Sequence, residues 1–290
     1  MNVSVSKCYI SSSSVAAGLI GFSKSNTTIL NSKLTDSNIS SSNMYSAGFI
    51  QTAVINATIQ NCIIQKCQIN TSGFVSVAGC NIQFISSNLL YCQIQSDIQS
   101  GGILGYSGVG YIISINDCLI TSLTTTCKAY NCGSIIGRSD SNTIIQQSHV
   151  KNSSISSVSS TGGFLGHSYS NITIMWCSIY NSTIISSYSC SGGFVGLSSD
   201  LFYVFNSQIT LMNIFSDIYA GGFLANGAQN IFIIGSKLQS IVLQANAYFN
   251  LVIGCTIATL SIQTSSSEWI NSINNVLQNN CLSFTGINGC

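Results

Sequence analysis

The 290-residue sequence contains no proline, and only 5% of its residues are charged, where an ordinary soluble domain carries about 25%. The absence of proline excludes collagen-like and proline-rich chains. Eight Lys and Arg are balanced by seven Asp and Glu, so no basic patch indicates a nucleic-acid partner. Intrinsic disorder requires low hydrophobicity and high net charge, and a chain with 46% hydrophobic residues and a net charge of +1 does not meet that condition.

Long hydrophobic runs are also missing, although the mean hydropathy of +0.41 is high. A membrane-spanning helix needs about 20 consecutive apolar residues, and the longest candidates, residues 15–22 and 231–235, are far shorter. We therefore expect no membrane insertion by this segment. The first residues lack the positive, apolar and small-residue order of a signal peptide, so no signal peptide is visible. This indicates either an intracellular protein or a piece of a longer chain.

A glycine-centred motif repeats along the chain, as in Gly193-Phe194-Val195-Gly196. Eight copies align with spacings of 30, 25, 29, 32, 29, 30 and 29 residues, and the aligned residue of the fifth copy is Ser134, directly after Gly133. Glycine allows a tight corner where a Cβ would clash. We therefore assign structural corners to Gly18, Gly48, Gly73, Gly102, Gly133, Gly163, Gly193 and Gly222.

A second column lies between the glycine motifs and tests the register. Cys or Ser is followed two positions later by an aliphatic residue in ten successive segments, from Cys8-Tyr9-Ile10 to Cys255-Thr256-Ile257. This period of two is typical of strands buried on one face, and repeats that bury their apolar faces against neighbouring repeats form solenoids. We predict an all-β fold, a parallel β-helix (β-solenoid) of about ten coils with a period near 29 residues, over residues 1–263. Residues 264–290 break the repeat and are expected to form an irregular C-terminal coil or partial cap.

The thirteen cysteines include no Cys-x-x-Cys pair, and with two histidines they give little support to a metal site. We predict no metal and no cofactor. Five cysteines alternate with serine in the inward column and are expected to be buried thiols, namely Cys8, Cys62, Cys118, Cys177 and Cys255. Disulfides are the alternative in an oxidising compartment, between Cys67 and Cys92 in adjacent coils or among Cys127, Cys132 and Cys190.

The seven acidic residues are spread at one per coil or fewer. A carbohydrate-cleaving β-helix enzyme needs two or three carboxylates close together. The equivalent residues Asp97 and Asp217 lie several coils apart, on the order of 20 Å. No catalytic residue is therefore assigned, and a non-enzyme is predicted. The best polar constellation is a weak cluster just after the glycine motif, formed by Arg138, Asp140, His167 and Asp200 from three successive coils.

Two segments carry a resemblance to a known repeat. Gly163-Phe164-Leu165-Gly166 is followed by Trp176-Cys177, and Gly102-Ile103-Leu104-Gly105 is followed by Ile115 and Cys118. Over about residues 6–262 the pattern resembles the GLUG repeat, named for its Gly-Leu-hydrophobic-Gly core, with Phe in place of Leu in most copies. Members of that family are typically surface or secreted proteins of bacteria and some protists. The resemblance implies an adhesin-like β-solenoid surface protein, and the repeat carries no catalytic residues to transfer.

The sequence predicts a non-enzymatic surface or secreted repeat module, structural or adhesive, that presents a rigid polar face to glycans or surface proteins. The alternative is a carbohydrate-active β-helix enzyme of the polysaccharide lyase or glycoside hydrolase type. We expect an extracellular or cell-surface location as part of a longer chain, and the open ends of a solenoid invite end-to-end self-association. Eight Asn-x-Ser/Thr sequons, including those at Asn38 and Asn70, would carry glycans in a eukaryotic secretory pathway, although many such triplets arise by chance in this composition.

Overall fold

The structure, a computed structural model, describes residues 2–41, 45–227, 231–245, 248–250, 255–257, 259–264, 270–271 and 281–285, with side chains described as far as residue 245. All regular secondary structure in these ranges is β-strand. Strands pair in parallel with the strand one turn later, as His149 does with Ser178 and Leu119 does with His149. The predicted parallel β-solenoid is confirmed, with eight complete turns.

Each complete turn has three faces, and two of these faces are eight-stranded sheets. Face 2 follows the glycine corner and consists of Ile20–Ser23, Ile50–Ala53, Val75–Ala78, Leu104–Ser107, Ile136–Ser139, Leu165–Ser168, Val195–Ser198 and Leu224–Gly227. Face 3 consists of Thr27–Leu30, Ala57–Gln60, Ile82–Ile85, Ile112–Asn116, Asn142–Gln146, Ile172–Met175, Phe202–Phe205 and Ile231–Ile234.

Face 1 contains two short strands per turn, which merge into one strand in the later turns. The first strands are Ser4–Ser6, Lys33–Thr35, Ile63–Gln65, Asn88–Leu90, Leu119–Thr121 and His149–Lys151. The second strands are Tyr9–Ser12, Asn38–Ser41, Gln68–Ser72, Gln93–Ser96, Thr124–Cys127 and Ser154–Ser157, and the merged strands are Ser178–Ser186, Gln208–Ser216 and Ser236–Ala245. Short corner strands lead to face 2 at Val15–Ala17, Tyr45–Ala47, Ser100–Gly101, Cys132–Gly133, Ser160–Gly162, Cys190–Gly192, Tyr219–Gly221 and Tyr248–Asn250.

The solenoid narrows after the eighth turn. Gly221 pairs with Asn250 and Ser236 pairs with Cys255. Residues 222–235, which form faces 2 and 3 of the eighth turn, are thereby matched by residues 251–254 alone. The described sheets of faces 2 and 3 consequently end at the eighth turn, while face 1 continues through Cys255–Ile257, Thr259–Thr264 and Cys281–Thr285.

The predicted register of Cys255 holds, but the turn that carries it is shorter than 29 residues. Within residues 264–290, where a coil or partial cap was expected, the strands Ile270–Asn271 and Cys281–Thr285 pair with the preceding turns. Most of that predicted segment lies outside the described residues.

The interior is filled by stacked apolar columns, because equivalent residues lie above one another in successive turns. The phenylalanine after the corner glycine is fully buried in five turns, at Phe49, Phe74, Phe164, Phe194 and Phe223. The rings of Phe164 and Phe194 stack with centroids 4.7 Å apart. This continuous core replaces the charged surface on which an ordinary domain relies for its composition.

The corner glycines are required because the backbones of adjacent turns approach closely there. A Cβ added to Gly163 would overlap the carbonyl oxygen of Gly193. Gly133 pairs with Gly162, so it lies one position before this column, where Ser134 takes the place of glycine. Close approach between turns, rather than a left-handed φ, therefore explains the motif.

The Cys/Ser column has a function that alternation alone did not predict. On face 1, each buried small residue follows a residue in the left-handed region, as Ser207 follows Asn206 with its φ of 44°. The Oγ of Ser207 accepts a hydrogen bond from the backbone N–H of Cys177 at 3.1 Å and donates to the carbonyl of Phe205 at 2.8 Å. A small side chain with a polar atom thus replaces a hydrogen bond that the bend removes from the sheet.

Candidate functional site

The predicted polar cluster lies on the outer side of face 2. Tyr106 pairs with Arg138, and Arg138 pairs with His167. These three side chains therefore form a column across three successive turns, about 4.8 Å apart along the rod. Inward neighbours such as Ser139 and Ser168 are fully buried, which fixes the outward direction of the column.

Arg138 and Asp140 form the centre of the cluster. The guanidinium donates from Nε to Oδ1 and from Nη2 to Oδ2 of Asp140, both at 2.9 Å. The hydroxyl of Tyr106 donates to Oδ2 of the same carboxylate at 3.0 Å. The Arg138 Cζ lies 5.4 Å from the ring centroid of Tyr106 and 4.6 Å from that of Tyr169, within the range of cation–π attraction.

The electrostatics of the cluster follow from this pairing. The hydrogen bonds to Asp140 raise the pKa of Arg138, so the guanidinium stays charged at every ordinary pH. Burial and the neighbouring Asp140 carboxylate raise the pKa of Tyr106. The Asp140 side chain is only 8% exposed, and three hydrogen bonds from charged or aromatic groups satisfy it. Its carboxylate is therefore fully engaged inside the cluster.

His167 is the buried member of the cluster. It is 7% exposed, and its ring centroid lies 4.1 Å from that of Tyr169. Burial, and then the charge of Arg138, lower its pKa to about 4. The imidazole is consequently neutral near neutral pH. Its Nε2 is buried and has no hydrogen-bond partner among the described residues.

Asp200 does not join the other predicted residues. Ser168 pairs with Ser198, so Asp200 continues the line of Ser170, and it is exposed. The position beside Arg138 is taken by Tyr169, which was not predicted, and by Tyr106 from the turn before. The pairing of Tyr106 with Arg138 spans a turn longer than the average period, which is why simple repeat counting did not find it.

Three open depressions lie on face 1. The largest, about 450 Å³, is lined by Lys7, Tyr9, Asp36 and Lys66 among others, and a second of about 320 Å³ contains Asp117, His149 and Lys151. A third, of about 180 Å³, is lined by Asn38, Ser40, Gln68, Ile69, Asn70, Gln93 and Gln95 and carries no charged side chain. We call this third depression the amide groove.

The ionisable groups of the second depression are held mainly by polar neighbours. Asp117 accepts a hydrogen bond from the hydroxyl of Ser86 at 2.8 Å, and Nδ1 of His149 is bonded to Ser178 Oγ at 2.8 Å. Burial and Lys151 lower the pKa of His149. Asp117 is the one carboxylate that lines this depression, so it has no second carboxylate to act with as an acid–base pair. In the part of the chain that the structure describes, no group of three or more His, Cys, Asp and Glu could hold a metal ion.

The cysteines divide as one disulfide and a set of thiols. Cys127 and Cys132 form a disulfide, as one predicted alternative had it. Cys67 and Cys92 lie in adjacent turns but remain thiols, as does Cys190, so those two pairings do not form. Cys62, Cys118 and Cys177 are buried as predicted, Cys8 is half-buried, and the side chain of Cys255 lies outside the described residues.

Burial raises the pKa of Cys118 and Cys177 to about 12. Because the thiolate is the reactive form of cysteine, these two groups are inert at neutral pH. The inward thiols therefore act as packing groups in the column that they share with serine.

None of the described residues belongs to a helix long and apolar enough to cross a membrane. Comparison with protein-family models, with curated proteins and with solved structures finds no match to this chain.

Proposed function

We propose that the chain is a non-enzymatic structural or adhesive module, whose rigid rod presents an uncharged polar face to glycans or proteins. The observation that carries the proposal is one outward column of face 1. Register places uncharged polar residues in this column on seven successive turns, at Asn38, Gln68, Gln93, Thr124, Ser154, Thr183 and Asn213. At about 4.8 Å per turn, this column is a regular array of hydrogen-bonding groups.

The rest of the molecule supports a binding role over hydrolysis. Asp140 is bonded to Arg138 and Asp117 to Ser86, and Asp97 is paired with Lys128 at 2.8 Å. A glycoside hydrolase needs two carboxylates on either side of one bond. These three lie on different turns, each with a partner of its own.

A surface or extracellular location is part of the proposal, in keeping with the resemblance to adhesin-like GLUG repeat proteins. The Cys127–Cys132 disulfide supports it, because disulfides persist in oxidising compartments and are rare in the cytosol. The eight thiols that remain do not weigh against it, since seven of them are buried.

The test is a binding screen of the purified full chain. The chain is produced in a bacterial periplasm, labelled, and applied to a glycan array and to intact microbial and animal cells, with bovine serum albumin as the background control. We expect saturable binding to at least one glycan or cell surface. Absence of saturable binding to every glycan and cell type would contradict an adhesive role, and release of reducing sugar from any glycan would favour the enzymatic alternative.

A further inference from the structure

We infer that the amide groove binds a short stretch of an uncharged, extended glycan chain laid along the axis of the rod. This inference rests on the proposed function and names the ligand class and the site. It assigns recognition to turns one to four of face 1, away from the Arg138 cluster on face 2.

The groove is built from two parallel columns. Tyr9, Asn38, Gln68 and Gln93 stand in one register on four successive turns. Asn70 and Gln95, which pair with each other, form the second column two residues further along the strand. The columns are about 7 Å apart, and the turns about 4.8 Å. A linear glycan of two or three sugar units running along the columns would meet a new side chain at each turn.

The groove amides retain hydrogen-bonding capacity that other polar ladders use internally. On the bends, the amide of Asn61 donates to Asn31 at 3.2 Å and that of Asn181 to Asn152 at 2.9 Å. In the groove, the one side-chain bond among the described residues is long, from Asn38 Nδ2 to Gln68 Oε1 at 3.5 Å. Each primary amide has two N–H donors and one acceptor oxygen, which suits the paired donor and acceptor character of sugar hydroxyls.

The second observation is the aromatic ring at the end of the column. Tyr9 is 74% exposed and lines the depression that shares Asn38 and Gln68 with the groove. A tyrosine ring offers an apolar face together with a polar tip, and the C–H face of a pyranose packs on such a ring while its hydroxyls turn to the amides. Amides beside an exposed ring are the combination that recognises a neutral sugar.

Charge decides between neutral and acidic glycans. No charged side chain lines the groove, whereas Lys7, Asp36 and Lys66 line the neighbouring depression, with mixed signs. An acidic polysaccharide would have to bury its carboxylates against neutral amides without a cationic partner, which is unfavourable. The groove therefore favours an uncharged chain.

The test is titration calorimetry of the full chain, produced in a bacterial host so that the sequons at Asn38 and Asn70 stay unmodified. The probes are cellohexaose, chitohexaose and laminarihexaose, with glucose as the length control and oligogalacturonate as the charge control. We expect the wild-type chain to bind at least one neutral hexasaccharide and to bind the glucose and oligogalacturonate controls more weakly.

Matched variants locate the site. The double variant Gln68→Ala with Gln93→Ala should weaken hexasaccharide binding by about tenfold or more, and Tyr9→Ala should weaken it as well. The control Thr58→Ala with Gln83→Ala removes outward polar groups from two paired positions on face 3 and should leave the affinity unchanged. Equal thermal unfolding of all variants confirms that they fold.

Three results would overturn the inference. They are unchanged affinity in the Gln68/Gln93 variant, an equal loss in the face 3 control, and binding of oligogalacturonate in preference to every neutral hexasaccharide. If the chain binds array glycans or cells but none of the three neutral hexasaccharides, this inference fails and the proposed function stands. If it binds nothing at all, the proposed function fails as well.

Discussion

The backbone N–H of Cys177 donates to the Oγ of Ser207, one turn later, at 3.1 Å. Both residues are almost completely buried, so no water competes for this hydrogen bond. The same relationship joins Cys118 to Ser148 at 3.2 Å. The serine column therefore contributes directly to the stacking of turns, and its loss leaves a buried donor without a partner.

Substitution Ser207→Ala is expected to destabilise the chain by about 2 kcal/mol, the typical cost of a buried unsatisfied N–H. Ser207→Cys should cost less, because cysteine occupies this column in other turns and its sulfur is a weak acceptor. Urea unfolding monitored by circular dichroism measures both. Ser114→Ala, at an outward position of face 3, is the control and should change stability by less than about 0.5 kcal/mol. Equal effects at Ser207 and Ser114 would contradict the assigned role.

The Arg138–Asp140 pair is expected to matter far more than the other ion pair of the described chain. Asp140→Ala leaves a partly buried guanidinium without its carboxylate and should cost about 2 kcal/mol or more. Asp97→Ala breaks the pair with Lys128, in which both side chains are 75% exposed, and should cost less than about 1 kcal/mol. Urea midpoints of the two variants give the comparison directly. Similar losses in both would mean that the cluster is as solvated as an ordinary surface pair.

His167 is expected to make stability depend on pH on the acidic side. Its pKa falls from 6.5 in the unfolded chain to about 4 in the fold, so between these values the unfolded state binds more protons than the native state. Its contribution is therefore fully present above about pH 6.5 and is lost as the pH falls towards 4, by about 3 kcal/mol in total. The residues that face it are Arg138, Tyr169 and Asp140, and protonation would place a second cation beside Arg138.

The comparison of wild type with His167→Gln isolates this effect from the titration of carboxylates. Urea unfolding at pH 7.5, 5.5 and 4.5 should give a stability difference that shrinks or reverses in favour of the variant as the pH falls. His149→Gln, at the half-buried histidine of face 1, serves as the matched variant. A difference between His167→Gln and wild type that stays constant across this range would refute the expected linkage.

Repeat arithmetic sufficed for the fold because a solenoid stores its register in one dimension. The columns headed by Gly163 and Cys177 predicted the corners and the buried strands, and each neighbour in space lies one period away in sequence. The cluster was harder to predict, because one residue of slip decides which side chains meet. Asp200 is displaced by one position from the place that Tyr169 occupies. The narrowing after the eighth turn was also missed, since Cys255 keeps the local pattern while the turn that carries it is shorter.

The corner glycines give the sharpest test of the stacking itself. A Cβ at Gly163 would meet the carbonyl oxygen of Gly193 and the Cδ1 atom of Ile179, and neither backbone can retreat because each turn is paired on both sides. Gly163→Ala should therefore cost more than about 3 kcal/mol, at the upper end of the effects of single substitutions. Gly108→Ala is the matched control, since the nearest atom to its added Cβ is Cε2 of Tyr111 at 3.5 Å, an ordinary contact. Thermal and urea unfolding of both variants should separate them clearly, and a Gly163→Ala chain as stable as the Gly108→Ala chain would show that adjacent turns are free to move apart.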